Sequence, residues 1–118
     1  MSNEKVSDLE YLNQTMSGNK KLIKEIIDVF LKQAPEELSV IKKAIDSQNY
    51  AVIKKVAHTM KSTASIMGIS SALPILKQME ELASSEQPLD KIRELNTEMT
   101  KMLEQAVEEV KSARQEYL

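Results

Sequence analysis

The chain contains a single histidine, His58, in the run Ala57-His58-Thr59-Met60-Lys61-Ser62-Thr63-Ala64-Ser65-Ile66-Met67-Gly68. Counted at about 100° per residue, the rotation of an α-helix, Ile53, Val56, Met60, Ala64 and Met67 fall on one apolar stripe and His58 projects away from it. Residues three and four positions apart are neighbours on a helix surface. Lys54 and Lys55 therefore lie one turn before the imidazole, and Lys61 and Ser62 one turn after it. Nearby cations disfavour protonation of the imidazole, which leaves a lone pair free, and the same cations would stabilise a dianion built on that nitrogen. The chemistry on offer is nucleophilic, directed at a phosphoryl group. An idle, water-facing histidine is the alternative; periodicity excludes only a core histidine.

Composition bounds what can hold such a residue in place. At 118 residues the chain fits one domain, 1–118, large enough to withdraw about two-thirds of its unfolded surface from water. Cysteine is absent, which rules out disulfide scaffolding and thiolate chemistry and is compatible with a reducing compartment. With one histidine as well, no zinc site and no other metal site is expected. Sixteen basic and 18 acidic residues are mixed along the chain, for a net charge of -2, so nucleic acid is not an expected partner. No apolar run approaches the ~20 residues of a membrane span, and the polar start Met1-Ser2-Asn3-Glu4-Lys5 lacks the apolar core of a secretory signal. A soluble, cytoplasmic protein is expected.

With only two Gly and three Pro, and Leu, Ile, Lys, Glu, Met, Ala and Gln abundant, the fold class is all-α. A short amphipathic segment begins near Asp8, an N-cap residue, carries Leu9, Leu12 and Met16, and ends at Ser17-Gly18. The next helix starts at about Asn19 with the pairs Leu22/Ile23, Ile26/Ile27 and Phe30/Leu31. Pro35 predicts a kink or restart, after which Leu38, Ile41, Ala44 and Ile45 resume the stripe. Asp46-Ser47-Gln48-Asn49 is a turn into the His58 helix, which runs to about Met67 and stops at Gly68, a left-handed cap. Ser70 or Ser71 caps a further helix, with Pro74 in its first turn and Leu76, Met79, Leu82 and Ala83 on its buried side. Ser84-Ser85-Glu86-Gln87-Pro88 is a loop. From Asp90 the stripe Ile92, Leu95, Met99, Met102, Ala106, Val110 and Ala113 predicts one long closing helix. Short connections between amphipathic helices predict an antiparallel up-down four-helix bundle with an additional short N-terminal helix. The seven methionines fall mostly on these stripes and read as core fillers.

Ala57-His58-Thr59-Met60-Lys61, followed by small residues and Gly68, resembles the signature of histidine-containing phosphotransfer domains. There, a hydrophobe two residues after the His and a Lys three after it precede a Gly and small residues, with a second Gly ten positions after the His. Phe30-Leu31 before Ala34-Pro35-Glu36-Glu37-Leu38, the Ala44-Ile45-Asp46 segment and the long closing helix also resemble that family, so the likeness covers about 8–110. It implies a multistep two-component phosphorelay in which His58 accepts a phosphoryl group from a receiver-domain aspartate and passes it to another, at the ring nitrogen remote from the backbone. Lys61 would pair with the phosphate. A carboxamide or carboxylate 22 positions after the His often orients the imidazole in this family, and here that position is Glu80; a solvated helix-edge Glu is the other reading.

The family usually has Gly four residues after the His, where this chain has Ser62, whose hydroxyl is small enough to be tolerated and able to hydrogen-bond the phosphate. Ser65 borders the same side. Lys54, Lys55, Ile66, Gly68 and Ile69 are expected to contribute the partner contact, the two isoleucines as apolar contacts or else as edge-of-core residues. The implied partners are response-regulator receiver domains and a hybrid histidine kinase. Mg²⁺ is expected on the receiver, with no cofactor of the chain's own, and the chain is expected to be a monomeric carrier rather than an autonomous kinase. Two other readings stand beside it. A sensor-kinase dimerisation region is disfavoured because Thr59 follows the histidine where an acid is common and no Pro follows shortly after. No glycine-rich nucleotide loop exists either. A helical adaptor that has lost the chemistry is disfavoured by the presence of both His58 and Lys61.

Overall fold

The computed structural model describes residues 5–118; the polar start Met1–Glu4 lies outside the described residues. Five α-helices follow in order: α1 Glu10–Thr15, α2 Lys20–Asp46, α3 Tyr50–Ile66, α4 Leu73–Ser84 and α5 Leu89–Arg114, with a 3-10 turn at Ser70–Ala72 and another at Gln115–Tyr117. α3 lies along α4, α2 against both α3 and α5, and α4 against α5, so the four long helices close a ring around one core. That is an up-down bundle with a short helix ahead of it, as the periodicity predicts.

Local chemistry sets the boundaries. Asn19 accepts from Leu22 N–H at 3.2 Å to cap α2, and Asn49 accepts from Val52 N–H at 3.2 Å to cap α3. Asp8 acts one residue further out than an ordinary cap, accepting from Glu10 N–H at 2.9 Å. α1, α2, α3 and α4 end alike. In each, a residue with positive φ follows the C-cap (Ser17, Gln48, Gly68 and Glu86), and the next amide reaches back five residues, as from Ile69 N–H to Ala64 C=O at 2.8 Å.

Three expectations are corrected. α2 runs unbroken through Pro35 as a 27-residue helix, because proline removes only its own bond to the Leu31 carbonyl and the flanking apolar pairs stay packed. Ser70 and Ser71 lie within the 3-10 turn, and α4 starts after Ala72 with no side-chain cap. On α5 the buried series is Ile92, Leu95, Met99, Leu103, Ala106 and Val110; Met102 and Ala113 sit half-buried beside it. Leu22 of the first predicted pair is exposed and Leu38, Val56 and Leu82 are half-buried at the margin; the centre of the core is as the stripes predict, with Ile23, Ile27, Phe30, Ile41, Ile53, Met60, Leu76 and Met79 fully or almost fully enclosed.

Two further sets of contacts close the ring. Asp28 of α2 accepts from Arg114 at 2.6 Å and Asp46 from Arg93 at 2.9 Å, pinning α2 to both ends of α5. The segment before α1 forms a strap across one end of the bundle. Val6 N–H donates to Glu109 at 3.0 Å, Ser7 N–H and Oγ donate to the same carboxylate at 2.9 and 2.6 Å, and Asp8 N–H donates to the Met67 carbonyl at 3.1 Å.

Candidate functional site

His58 sits midway along α3 with its side chain 67 % exposed, while Ala57 and Met60 beside it are buried. The helix thus turns its stripe inward and holds the imidazole in water. Nδ1 of the ring lies 2.8 Å from Glu80 Oε2 on α4. The other oxygen, Oε1, lies 2.6 Å from Lys61 Nζ. One carboxylate, 17 % exposed, therefore bridges two side chains a single turn apart on the neighbouring helix. Its position follows from the α4 stripe: Leu76, Met79 and Ala83 are buried, which puts Glu80 on the helix edge that faces α3.

The charges support one another. Lys61 above all holds the Glu80 carboxyl below the usual carboxylate range; burial pushes the other way, and the ring of His58 adds a weaker downward pull. A carboxylate accepting at Nδ1 selects the tautomer with hydrogen on that nitrogen and leaves the Nε2 lone pair facing solvent. The open surface around the ring is lined by Ala51, Lys54, Lys55, Thr59 and Glu80. A nucleophilic nitrogen, oriented from behind and surrounded by lysines, suits attack on an electrophile that carries negative charge.

The other expected residues divide. Lys54, Lys55, Ser62, Ser65 and Ile66 are exposed. Ser65 borders a separate hollow with Asp8, Tyr11, Gly68, Ser70 and Leu73. Ile69 is corrected: it is 0 % exposed and part of the core. It occupies the position just after the left-handed cap, whose amide returns to Ala64 and whose side chain turns back onto the helix it ends. Gly68 is half-buried and has a reason internal to the fold. At φ +67°, a Cβ there would lie 2.0 Å from the Asp8 carbonyl oxygen. The strap, and the lining by Ala51 and Thr59, add to the residues expected from the sequence. Ala51 lies seven residues before His58 and so on its face, a signal that was legible; the strap joins Val6 and Ser7 to Glu109 across almost the whole chain and left no local trace.

Among the described residues no three His, Cys, Asp or Glu side chains gather as a metal site requires. No helix of the described residues is long and apolar enough to cross a membrane. Compared with models of protein families, residues 25–112 match the one described as the Hpt domain. A search of curated proteins gave no match. Among solved structures, the chain is similar to the crystal structure of histidine-containing phosphotransfer protein B from Pseudomonas aeruginosa PAO1, at 21 % identity and a TM-score of 0.85, covering 95 % of this chain and 96 % of that one.

Proposed function

This chain belongs to the Hpt domain family and has a phosphotransfer role in two-component phosphorelays, and from that premise we propose that His58 is its phospho-acceptor. Nε2 attacks the phosphorus of a receiver-domain aspartyl phosphate, the N–P bond forms as the P–O bond breaks, and the aspartate leaves as a carboxylate. A second receiver aspartate reverses the step. Such transfer depends on positioning and on charge stabilisation. The receiver, with its Mg²⁺, supplies the site around phosphorus, and this chain supplies an oriented nucleophile with Lys61 beside it. Lys54, Lys55 and Ile66 are the proposed receiver contact, with Ser62 and Ser65 at its margin.

The observation that carries this reading is the orientation of His58: Nδ1 is engaged by Glu80 at 2.8 Å on a side chain that is 67 % exposed, which turns Nε2 to the outside. The chain is a carrier without kinase activity of its own. Both glycines, Gly18 and Gly68, are spent at helix ends with positive φ, so neither belongs to a phosphate-cradling loop. A ring of four helices complete within one chain favours a monomer over a kinase dimerisation region. Its proposed compartment is the cytoplasm, where it would meet receiver domains and a hybrid kinase.

The test is incubation with a phosphorylated receiver and Mg²⁺, read by intact mass and by acid and base stability, with His58→Gln in parallel. The expected product is an acid-labile, base-stable gain of one phosphoryl group that is absent from the variant. A gain that persists in His58→Gln, or no gain across a panel of receivers with the helices intact, overturns the assignment.

A further inference from the structure

The partner of the ring is a full carboxylate, and its second oxygen is held by a lysine. When Nε2 bonds to phosphorus while hydrogen stays on Nδ1, the ring becomes an imidazolium. It becomes neutral only if that proton leaves. The two forms differ in chemistry: the imidazolium departs from phosphorus as neutral imidazole, whereas the neutral ring would have to depart as an imidazolate, a far poorer leaving group. This difference is why phosphoryl groups on imidazole are lost in acid.

We propose that Glu80 sets the lifetime and transfer potential of the phosphorylated protein by holding the Nδ1 proton on the ring, so that the carried phosphoryl group stays in its labile form at neutral pH. The proposal rests on His58 being the phospho-acceptor and concerns the regulation of that site. Glu80 is the only acidic residue among those lining the surface around the ring; Lys54 and Lys55 of α3 are the cations there, and Ala51 and Thr59 are uncharged. Lys61, one turn further along α3, is engaged with Glu80 Oε1 at 2.6 Å. A phosphoryl group on Nε2 competes for that ammonium. As Lys61 turns toward the phosphate, the carboxylate loses its counter-charge and its attraction for the Nδ1 proton increases. The arrangement couples arrival of the phosphoryl group to stabilisation of the form that releases it. A carboxamide at the same position would accept the same hydrogen bond and keep the ring oriented, yet would bring no charge. Glu80 is in this sense a positioning residue with a second, electrostatic effect that acts through His58.

The experiment labels the protein with phosphoramidate, a small donor that needs no receiver. It then follows loss of the phosphoryl group by intact mass from pH 5 to 9 for wild type, Glu80→Gln and Glu80→Ala. The expected result is a longer-lived label in Glu80→Gln at pH 7.5, by roughly tenfold, with its pH–rate profile displaced about one unit to lower pH. Glu80→Ala shares that displacement and labels more slowly as well, having lost the orientation. Superimposable profiles for wild type and Glu80→Gln overturn the proposal, and so does a displacement confined to Glu80→Ala, which would reduce Glu80 to orientation alone. A wild type that takes no label, or a His58→Gln variant that takes as much, is a failure of the underlying site assignment instead. Far-ultraviolet circular dichroism of each variant reports that the helices are kept.

Discussion

Glu37 stands half-buried on α2, and burial pushes its carboxyl above the usual range for glutamate. A group that binds its proton more tightly in the folded state lowers stability as pH rises from the ordinary glutamate value through the raised one. Glu37→Gln removes that cost. The variant is expected to be more stable than wild type at pH 7, by under about 1 kcal/mol given solvent screening, and indistinguishable from it near pH 4. Urea unfolding at the two pH values checks this, and an equal gain at both would mean that packing rather than charge was relieved. At this scale the sequence is readable where helical geometry holds. His58 and Lys61 could be placed on the water side because Ile53, Met60 and Ala64 fix the inward face. Ile69 could not, since the rotation of 100° per residue ends at Gly68. Past the cap the chain turns back, and a residue that the wheel sets outside is carried into the core. For Glu80 the wheel gave only an edge position; that it reaches His58 and Lys61 together depends on how closely α4 lies along α3.

The helix ends make the next point. Ser17, Gln48 and Glu86 all adopt positive φ at the same step after a helix, so a left-handed cap in this chain does not require glycine. Gly68 does, because the strap occupies the space its side chain would take: Asp8 O, C and N lie 2.0, 2.7 and 2.8 Å from a built Cβ. Gly68→Ala must therefore move the strap as well as accept left-handed strain of about 1–2 kcal/mol. A loss of roughly 2 kcal/mol or more is expected by urea unfolding, accompanied by faster hydrogen exchange at Val6, Ser7 and Asp8. A loss below about 0.5 kcal/mol with those amides still protected would show that the strap does not need this approach. Pro35 teaches the converse lesson. Read as punctuation it predicts a break, but one missing hydrogen bond on an exposed face is outweighed by the buried Phe30, Ala34 and Ile41 on the other. Element order and class were legible because each stripe is long; the kink and the serine caps were local signals overruled by packing.

Across the whole molecule, four partnered carboxylates act in the direction opposite to Glu37. Asp28 and Asp46 are held below the usual range by Arg114 and Arg93, and Glu80 by Lys61. In Glu109 burial pushes upward, but hydrogen bonds from Ser7 and Val6 outweigh it. Carboxylates depressed on folding contribute stability that is complete above their unfolded values and lost as pH falls through the folded ones. Melting temperature is expected to be nearly level from pH 6 to 8 and to fall below about pH 4, less steeply in high salt because the arginine pairs are exposed; a maximum below pH 4 would contradict the assignment. The ring of helices was legible from stripes and short loops. Its closure by the strap was not, since residues a hundred positions apart share no periodicity. That closure brings the two ends of the described chain together: Asn13 donates to the Tyr117 hydroxyl at 2.8 Å, and Lys5, Ser7, Glu116 and Tyr117 border one hollow. The order in which the helices follow one another is then only one of several that this ring allows. A circular permutant, joined from Tyr117 to Lys5 and opened in the loop between Ser84 and Leu89, would keep α3 and α4 as an uninterrupted hairpin. It would carry His58, Lys61 and Glu80 unchanged while moving both free ends to the C-terminal end of α4, away from the strap, which meets Met67 and Gly68 before that helix begins.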